Sequence, residues 1–359
     1  MNLRFGFIGG PPAGDDLDRW GRHTEGLGAA FLGTGEGAAI FEDPYIWLAQ
    51  LARVTDRALL GPVLSVPGLR DPVVHANTMA TIQRLSGGRA VLGLGVGDLG
   101  RLDVGLPPVT VAELVDYAGT VRALTAGDAV EVDGRRLQVR WATDRVPVYL
   151  GADGPKSQRA AGAMADGVVV GQAGHPGMVA QTLRNVAEGA AGAGRTADDL
   201  AVWFTSRIVV TDRPNGAIYL DGLDEYGARQ ARYLWRTSGS PSADDVVARI
   251  EARKGVRLDD DVARRLVAYN QDFDRWDAWS HGSKTNVDLL DHHGLRDWAG
   301  RMFYISGPVD DCADRVRGLV DAGARNFLVP AITGDRFAAA EQVAAVFDRV
   351  QGTRPAVPA

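Results

Sequence analysis

What this chain lacks narrows it first. It has one cysteine, Cys312, in 359 residues, so no intramolecular disulfide and no cysteine-built zinc site is available. A lone thiol fits a reducing, cytoplasmic compartment. The six histidines form no HExxH pair and no other metal-ligand spacing. There is no Gly-x-Ser-x-Gly elbow, which leaves nucleophilic hydrolysis poorly supported. No apolar run approaches the ~20 residues needed to span a bilayer, and "MNLRFGFIGG" lacks the basic start and cleavage region of a signal peptide. A net charge of −6 offers no broad attraction to nucleic acid or to an anionic membrane. What remains is 45% hydrophobic and 23% charged, an ordinary globular composition. The length suits one large barrel or two ordinary domains.

Eight strand candidates follow one another: "LRFGFI" (3–8), "AAFLG" (29–33), "LLGPVL" (59–64), "AVLGLG" (90–95), "VPVYLG" (146–151), "GVVVG" (167–171), "WFTSRIVV" (203–210) and "NFLVPA" (326–331). Most are short and continuously apolar, as strands covered on both faces of a parallel sheet are. Amphipathic segments such as "DPYIWLAQLARVTDR" (43–57) and "DPVVHANTMATIQRL" (71–85) lie between them. Each opens on Asp-Pro, a cap followed by a first-turn proline. The alternation predicts an α/β fold, a (β/α)8 TIM barrel. Residues 128–140 read as a β-hairpin turning at Asp133–Gly134. Residues 213–300 exceed one crossover and are expected to form a helical insertion over one end. Without a clear linker, a single domain, 1–359, is expected.

Two glycine-rich stretches invite a cofactor. In "GLGVGDLG" (93–100), Gly95, Gly97 and Gly100 have dinucleotide-fingerprint spacing, but "RLDVGLPPVT" follows where a helix would have to start. The better reading is a strand end where missing Cβ atoms let a flat ligand approach. "VPVYLGADGPKSQRAAGAMADGVVV" (146–170) resembles a nucleotide-triphosphate loop without the glycine directly before its lysine. Its turn Ala152–Asp153–Gly154 leads into Pro155, so free amides, the helix dipole and Lys156 make an anion site for a phosphate, with Asp153 turned away. The other reading is a purely structural turn. Glu36, between glycines after the second strand, is either a general acid/base or a solvated loop carboxylate. His75 reads as packing or solvated. Trp279 and His281 stand in "DRWDAWSHGSKTNVD" (274–288), either as a substrate-binding lid over the barrel mouth or as a satellite core.

Together these stretches resemble the luciferase-like flavin oxidoreductases, in particular the branch similar to methylenetetrahydromethanopterin reductase. The resemblance is carried by "DPYIWLAQLARVTDRALLGPVLSV", "RDPVVHANTMATIQRLSGGRAVLGLGVGD", "VPVYLGADGPKSQRAAGAMADGVVV" and "SGPVDDCADRVRGLVDAGARNFLVPA". It implies a barrel that binds FMN or, by modest preference, coenzyme F420. It implies a bulge with a non-prolyl cis peptide at Val63–Leu64, followed by Ser65, beneath the ring. It implies phosphate contacts at Ala152, Asp153 and Gly154, with Gly171 and Gln172 nearby, and ring contacts from the glycines of "GLGVGD". Asp98 takes the position of a family carboxylate near the reacting end. "LGTGEG" departs from the family's "VGDS"-like stretch, and either Glu36 or Thr34 aligns with its aspartate. The expected activity is hydride transfer to or from a small organic substrate. The alternatives are a monooxygenase using FMNH2 from a partner reductase, and a non-catalytic flavin-binding protein. A homodimer is expected by the same resemblance.

Overall fold

The computed structural model describes residues 3–39, 41–98, 100–171, 173–213, 231, 242–273, 285–331 and 334–352. Eight strands form one parallel sheet: β1 Arg4–Ile8, β2 Phe31–Thr34, β3 Leu59–Pro62, β4 Leu92–Leu94, β7 Val148–Gly151, β8 Gly167–Val170, β9 Ala201–Thr205 and β12 Asn326–Pro330. Their order is β3-β2-β1-β12-β9-β8-β7-β4. Parallel bridges Leu60↔Ala90 and Ser65↔Leu94 join the two ends, so the sheet closes as a barrel. Phe31, Val91, Tyr149, Val169, Trp203 and Leu328 fill its interior, and Ile8, Val63 and Leu64 pack against that filling. A larger apolar cluster lies between strands and helices. The expected TIM barrel is the observed fold.

Local chemistry sets the elements around the mouth. Helix α1 spans Asp15–Gly26. Helix α2, Pro44–Ala52, starts where the Asp43 carboxylate accepts from the Tyr45 and Ile46 amides. Helix α3, Pro72–Leu85, is capped in the same way by Asp71. Helix α4, Val111–Thr125, opens on a Thr110–Glu113 capping box, α5 covers Pro155–Met164 and α6 Pro176–Gly192. The expected hairpin is β5 Val130–Val132 with β6 Arg135–Leu137, turning at positive φ through Asp133 and Gly134.

One expectation needs correction. The stretch 203–210 is two strands: β9 stays in the barrel, while β10, Arg207–Val210, leaves it to pair with β11, Tyr304–Gly307. The break falls at Ser206, whose amide donates to Leu328 O at 2.9 Å. β11 had no place in the sequence reading, because a buried four-residue strand beside a helix carries no distinct period. In 213–300 the described helices are Ala243–Lys254, Asp260–Asp272, Thr285–His292 and Arg296–Phe303. Val246, Ile250, Leu266, Tyr269 and Leu290 are among the residues of their own apolar cluster.

The β3–β4 seam depends on glycine. A Cβ at Gly61 would stand 2.1 Å from Val91 O, against backbone that cannot swing aside. Gly61→Ala is therefore expected to destabilise the barrel by about 3 kcal/mol, the upper range for overpacking. Thermal unfolding would show this as a Tm lower by roughly 4 °C. An unchanged Tm would mean that this seam separates at no cost.

Candidate functional site

The carboxyl ends of the barrel strands present three pieces at one rim. The first is a floor. Val63–Leu64 is a non-prolyl cis peptide, at the position the family resemblance implies. Between the two closing bridges β3 advances from Leu60 to Ser65 while β4 advances only from Ala90 to Leu94, so β3 carries one extra residue, a β-bulge. Leu64 caps the barrel filling and is only half-buried. Its side chain lies over Gly95 and Gly151, where added Cβ atoms would stand 2.9 and 2.2 Å from Cδ1. Those glycines thus make room for Leu64 itself. Gly97 has φ +87, and the space on its Cβ side is held by Arg101. Arg101 in turn ties this turn to Pro67 O and Pro107 O, at 2.6 and 2.7 Å.

The second piece surrounds Glu36, which is buried rather than a solvated loop residue, with 7% exposure. Its Oε2 lies 2.5 Å from Ser65 Oγ and accepts from the Val66 amide at 3.3 Å. Its Oε1 accepts from Arg70 Nε at 3.2 Å, and Arg70 Nη2 donates to Asp43 Oδ2 at 2.6 Å. The Arg70 guanidinium also stacks 4.4 Å above the Tyr45 ring. Behind Ser65 the polar contacts continue. Tyr45 Oη is 2.9 Å from Ser65 Oγ and 2.7 Å from His75 Nε2, and His75 Nδ1 is 2.8 Å from Tyr117 Oη. Tyr117 Oη lies 2.9 Å from the Arg70 carbonyl. Burial, reinforced by the Glu36 charge, pushes the Tyr45 hydroxyl well above its ordinary value. Burial first and the Arg70 charge second push His75 down to about 3, so the imidazole is neutral.

The third piece is the turn after β7. Gly154 caps α5 without a side chain, and Pro155 takes the first helical position, leaving first-turn amides with no acceptor inside the helix. The Asp153 carboxylate turns away, accepting from the Gly171 amide at 2.7 Å, which engages that amide. Lys156 is exposed. The turn also draws on the insertion: Lys254 Nζ donates to Asp153 O at 2.5 Å, and Arg253 Nη2 would meet a Cβ on Gly154 at 3.5 Å. Lys254 is buried, which lowers its pKa. A glycine cap, open amides and three cations fit a phosphate.

The fold brings Glu36, Val63, Leu64, Ser65, Gly95 and Gly97 together at adjoining strand ends, and groups Ala152, Asp153, Gly154, Lys156 and Gly171 at the turn. Asp98 is half-buried in the turn after β4. That turn abuts Glu36, since a Cβ at Gly100 would lie 2.6 Å from Glu36 O. Gln172, Trp279 and His281 lie outside the described residues. Sequence reasoning missed Arg70, Tyr45, Tyr117, Arg253 and Lys254, and read His75 as packing or solvated. For Tyr45 and His75 a signal existed: each sits in the first turn behind an Asp-Pro start, on helices flanking β3. For Lys254 none did, because its partner is 101 positions away. Among the described residues no group of acidic, histidine or cysteine side chains could hold a metal, and no helix is long and apolar enough to cross a membrane.

A closed β/α barrel with a cis-peptide floor and a cation-ringed helix start on the same rim defines a class of cofactor-binding barrels. Comparison narrows the class. The luciferase-like monooxygenase family profile matches residues 6–326, and the chain belongs to this luciferase-like family of oxidoreductases. It is 30% identical over 291 residues to 5,10-methylenetetrahydromethanopterin reductase of Archaeoglobus fulgidus, covering 78% of each chain. It is 34% identical over 227 residues to F420-dependent glucose-6-phosphate dehydrogenase of Beutenbergia cavernae, covering 60% of this chain and 63% of that one. The structure of F420-dependent tetrahydromethanopterin reductase from Methanopyrus kandleri superposes with a TM-score of 0.72 at 22% identity, over 96% of this chain and 98% of the other. That last likeness is one of fold.

Proposed function

We propose that this protein is a hydride-transfer oxidoreductase that uses coenzyme F420 on a small organic substrate. The observation that carries the reading is the shared rim: the Val63–Leu64 floor and the phosphate-type turn at Ala152–Gly154 lie at the same end of one barrel. Relatives at 30% identity or more include a reductase and an F420-dependent dehydrogenase, which favours a deazaflavin over FMN. When bound, such a cofactor supplies a hydride donor or acceptor at one ring carbon. The chain's own residues do the rest. Leu64 supports the ring from below. The first-turn amides of α5, with Lys156, Arg253 and Lys254, balance the phosphate charge. Arg70 and Ser65 hold Glu36 in place, and Glu36 or Asp98 handles the proton at the reacting end.

The direct test is to titrate the purified protein with F420 and with FMN, following absorbance and fluorescence. Saturable F420 binding, at least about tenfold tighter than FMN, is expected; each tenfold corresponds to about 1.4 kcal/mol. Neither compound binding would end the reading. Lys254→Met is expected to weaken F420 binding roughly 10- to 100-fold, the range for one charge-assisted hydrogen bond. An unchanged Kd would remove Lys254 from the phosphate site.

The family profile itself favours a second reading, an FMNH2-dependent monooxygenase fed by a separate reductase. Such an enzyme must shield a reactive oxygen adduct from water. Turnover with reduced FMN and O2, absent with F420, would select it.

A further inference from the structure

We propose that Ser65, Tyr45, His75 and Tyr117 form a proton relay that loads and unloads Glu36 from the half-buried end at Tyr117, the tautomer of His75 following the charge of Glu36. The relay's use in turnover rests on the reading of Glu36 as a proton-handling group; the relay itself does not.

Five contacts join Glu36 Oε2, Ser65 Oγ, Tyr45 Oη, the two nitrogens of His75, Tyr117 Oη and the Arg70 carbonyl, at 2.5, 2.9, 2.7, 2.8 and 2.9 Å. Each contact needs one proton between its heavy atoms. The three hydroxyls and a neutral imidazole supply four, so one contact is short unless Glu36 or His75 carries a further proton. Burial excludes the imidazolium. With Glu36 protonated, all five contacts are filled and every donor points away from the mouth. Glu36 donates to Ser65, Ser65 to Tyr45, Tyr45 to His75 Nε2, His75 Nδ1–H to Tyr117, and Tyr117 to the carbonyl.

Moving each proton across its own contact converts this state into the other. Ser65 then donates to the carboxylate, Tyr45 to Ser65, His75 Nε2–H to Tyr45 and Tyr117 to His75 Nδ1. One proton leaves at the Tyr117 end, and no charge remains between the ends. The empty contact falls at Tyr117 and Arg70, which are half-buried and can take up water, instead of between Tyr45 and His75, which are buried. Arg70 and the Val66 amide stabilise the ionised carboxylate, and Asp43 balances Arg70. The turn holding Asp98 and Arg101 adjoins Glu36. Burial first, then the Glu36 and Asp71 charges, push the Tyr117 hydroxyl up, and the Arg70 charge opposes them.

The test is 15N NMR of the histidine-labelled, cofactor-free protein between pH 5 and 9, with His75 assigned by difference from His75→Gln. In Glu36→Gln the amide NH2 donates to Ser65 as a protonated carboxyl would, so His75 is expected as the Nδ1–H tautomer at every pH. In the unsubstituted protein, with Ser65 donating to the Glu36 carboxylate, the pyrrole-type and pyridine-type signals should be exchanged relative to Glu36→Gln, giving Nε2–H. Tyr45→Phe should abolish the difference made by Glu36→Gln. The same His75 tautomer at every pH with and without Glu36→Gln would overturn the relay, and so would an imidazolium. F420 titration of the same samples decides the redox reading separately, because the tautomer requires no cofactor.

Discussion

Glu36→Gln is expected to lower hydride-transfer turnover by roughly 10²- to 10³-fold, within the range for loss of a positioned acid or base. Glutamine keeps the volume and still accepts from Arg70, so F420 affinity should stay within about twofold, the pattern of an interaction made only in the transition state. The size of the effect follows from placement. Glu36 is a buried carboxylate beside the floor, where water does not substitute for a missing proton carrier. Single-turnover absorbance of the bound cofactor, with its Kd measured in parallel, separates the two quantities. Unchanged turnover would reduce Glu36 to the counter-ion of Arg70 and shift attention to Asp98. If both Glu36→Gln and Asp98→Asn leave a tightly bound cofactor with no turnover to lose, a non-catalytic binding protein is the better description.

The second large effect concerns acid. His75 is fully buried and held near 3 in the folded chain, whereas an unfolded histidine takes up its proton near 6.5. Through that window the unfolded state binds more protons, so stability falls as the pH falls, by about 1.4 kcal/mol per unit. Between pH 6.5 and 5 the expected loss from this residue is about 2 kcal/mol. Glu25 works in the same direction but lower down. Its carboxylate accepts from the Asp56, Arg57 and Ala58 amides, and its pKa is lowered, so its contribution is complete above 4.5 and lost only below it. Urea unfolding at pH 7, 6 and 5 isolates His75. The unsubstituted protein should weaken across this range and His75→Gln should weaken far less. Parallel slopes would show that His75 is protonated in the folded state.

Much of this molecule is legible in its residues taken in order. Short apolar runs alternating with amphipathic segments specify a parallel barrel, because the burial of a strand or a helix face is written in its own period. Asp43-Pro44 and Asp71-Pro72 start helices because their partners are two or three residues away. Gly154-Pro155 marks a helix start open to an anion for the same reason. The Val63–Leu64 floor was legible only through resemblance to a family, since nothing in "GPVLSV" marks a cis bond.

The rest was decided by closure. The one-residue surplus of β3 over β4, the departure of β10 toward β11 and the seating of Lys254 beside Asp153 each join segments far apart in the chain. The line from Glu36 to Tyr117 crosses three helices and a bulge, and no spacing along the sequence encodes it. By itself, then, the sequence determined the kind of barrel, the starts of its helices and the candidate carboxylate. Only the tertiary structure decided that this carboxylate is buried, what cation holds it and which hydroxyls lead away from it. Local backbone preference acts over a few residues, whereas burial and hydrogen-bond partnership exist only once distant segments share one interior.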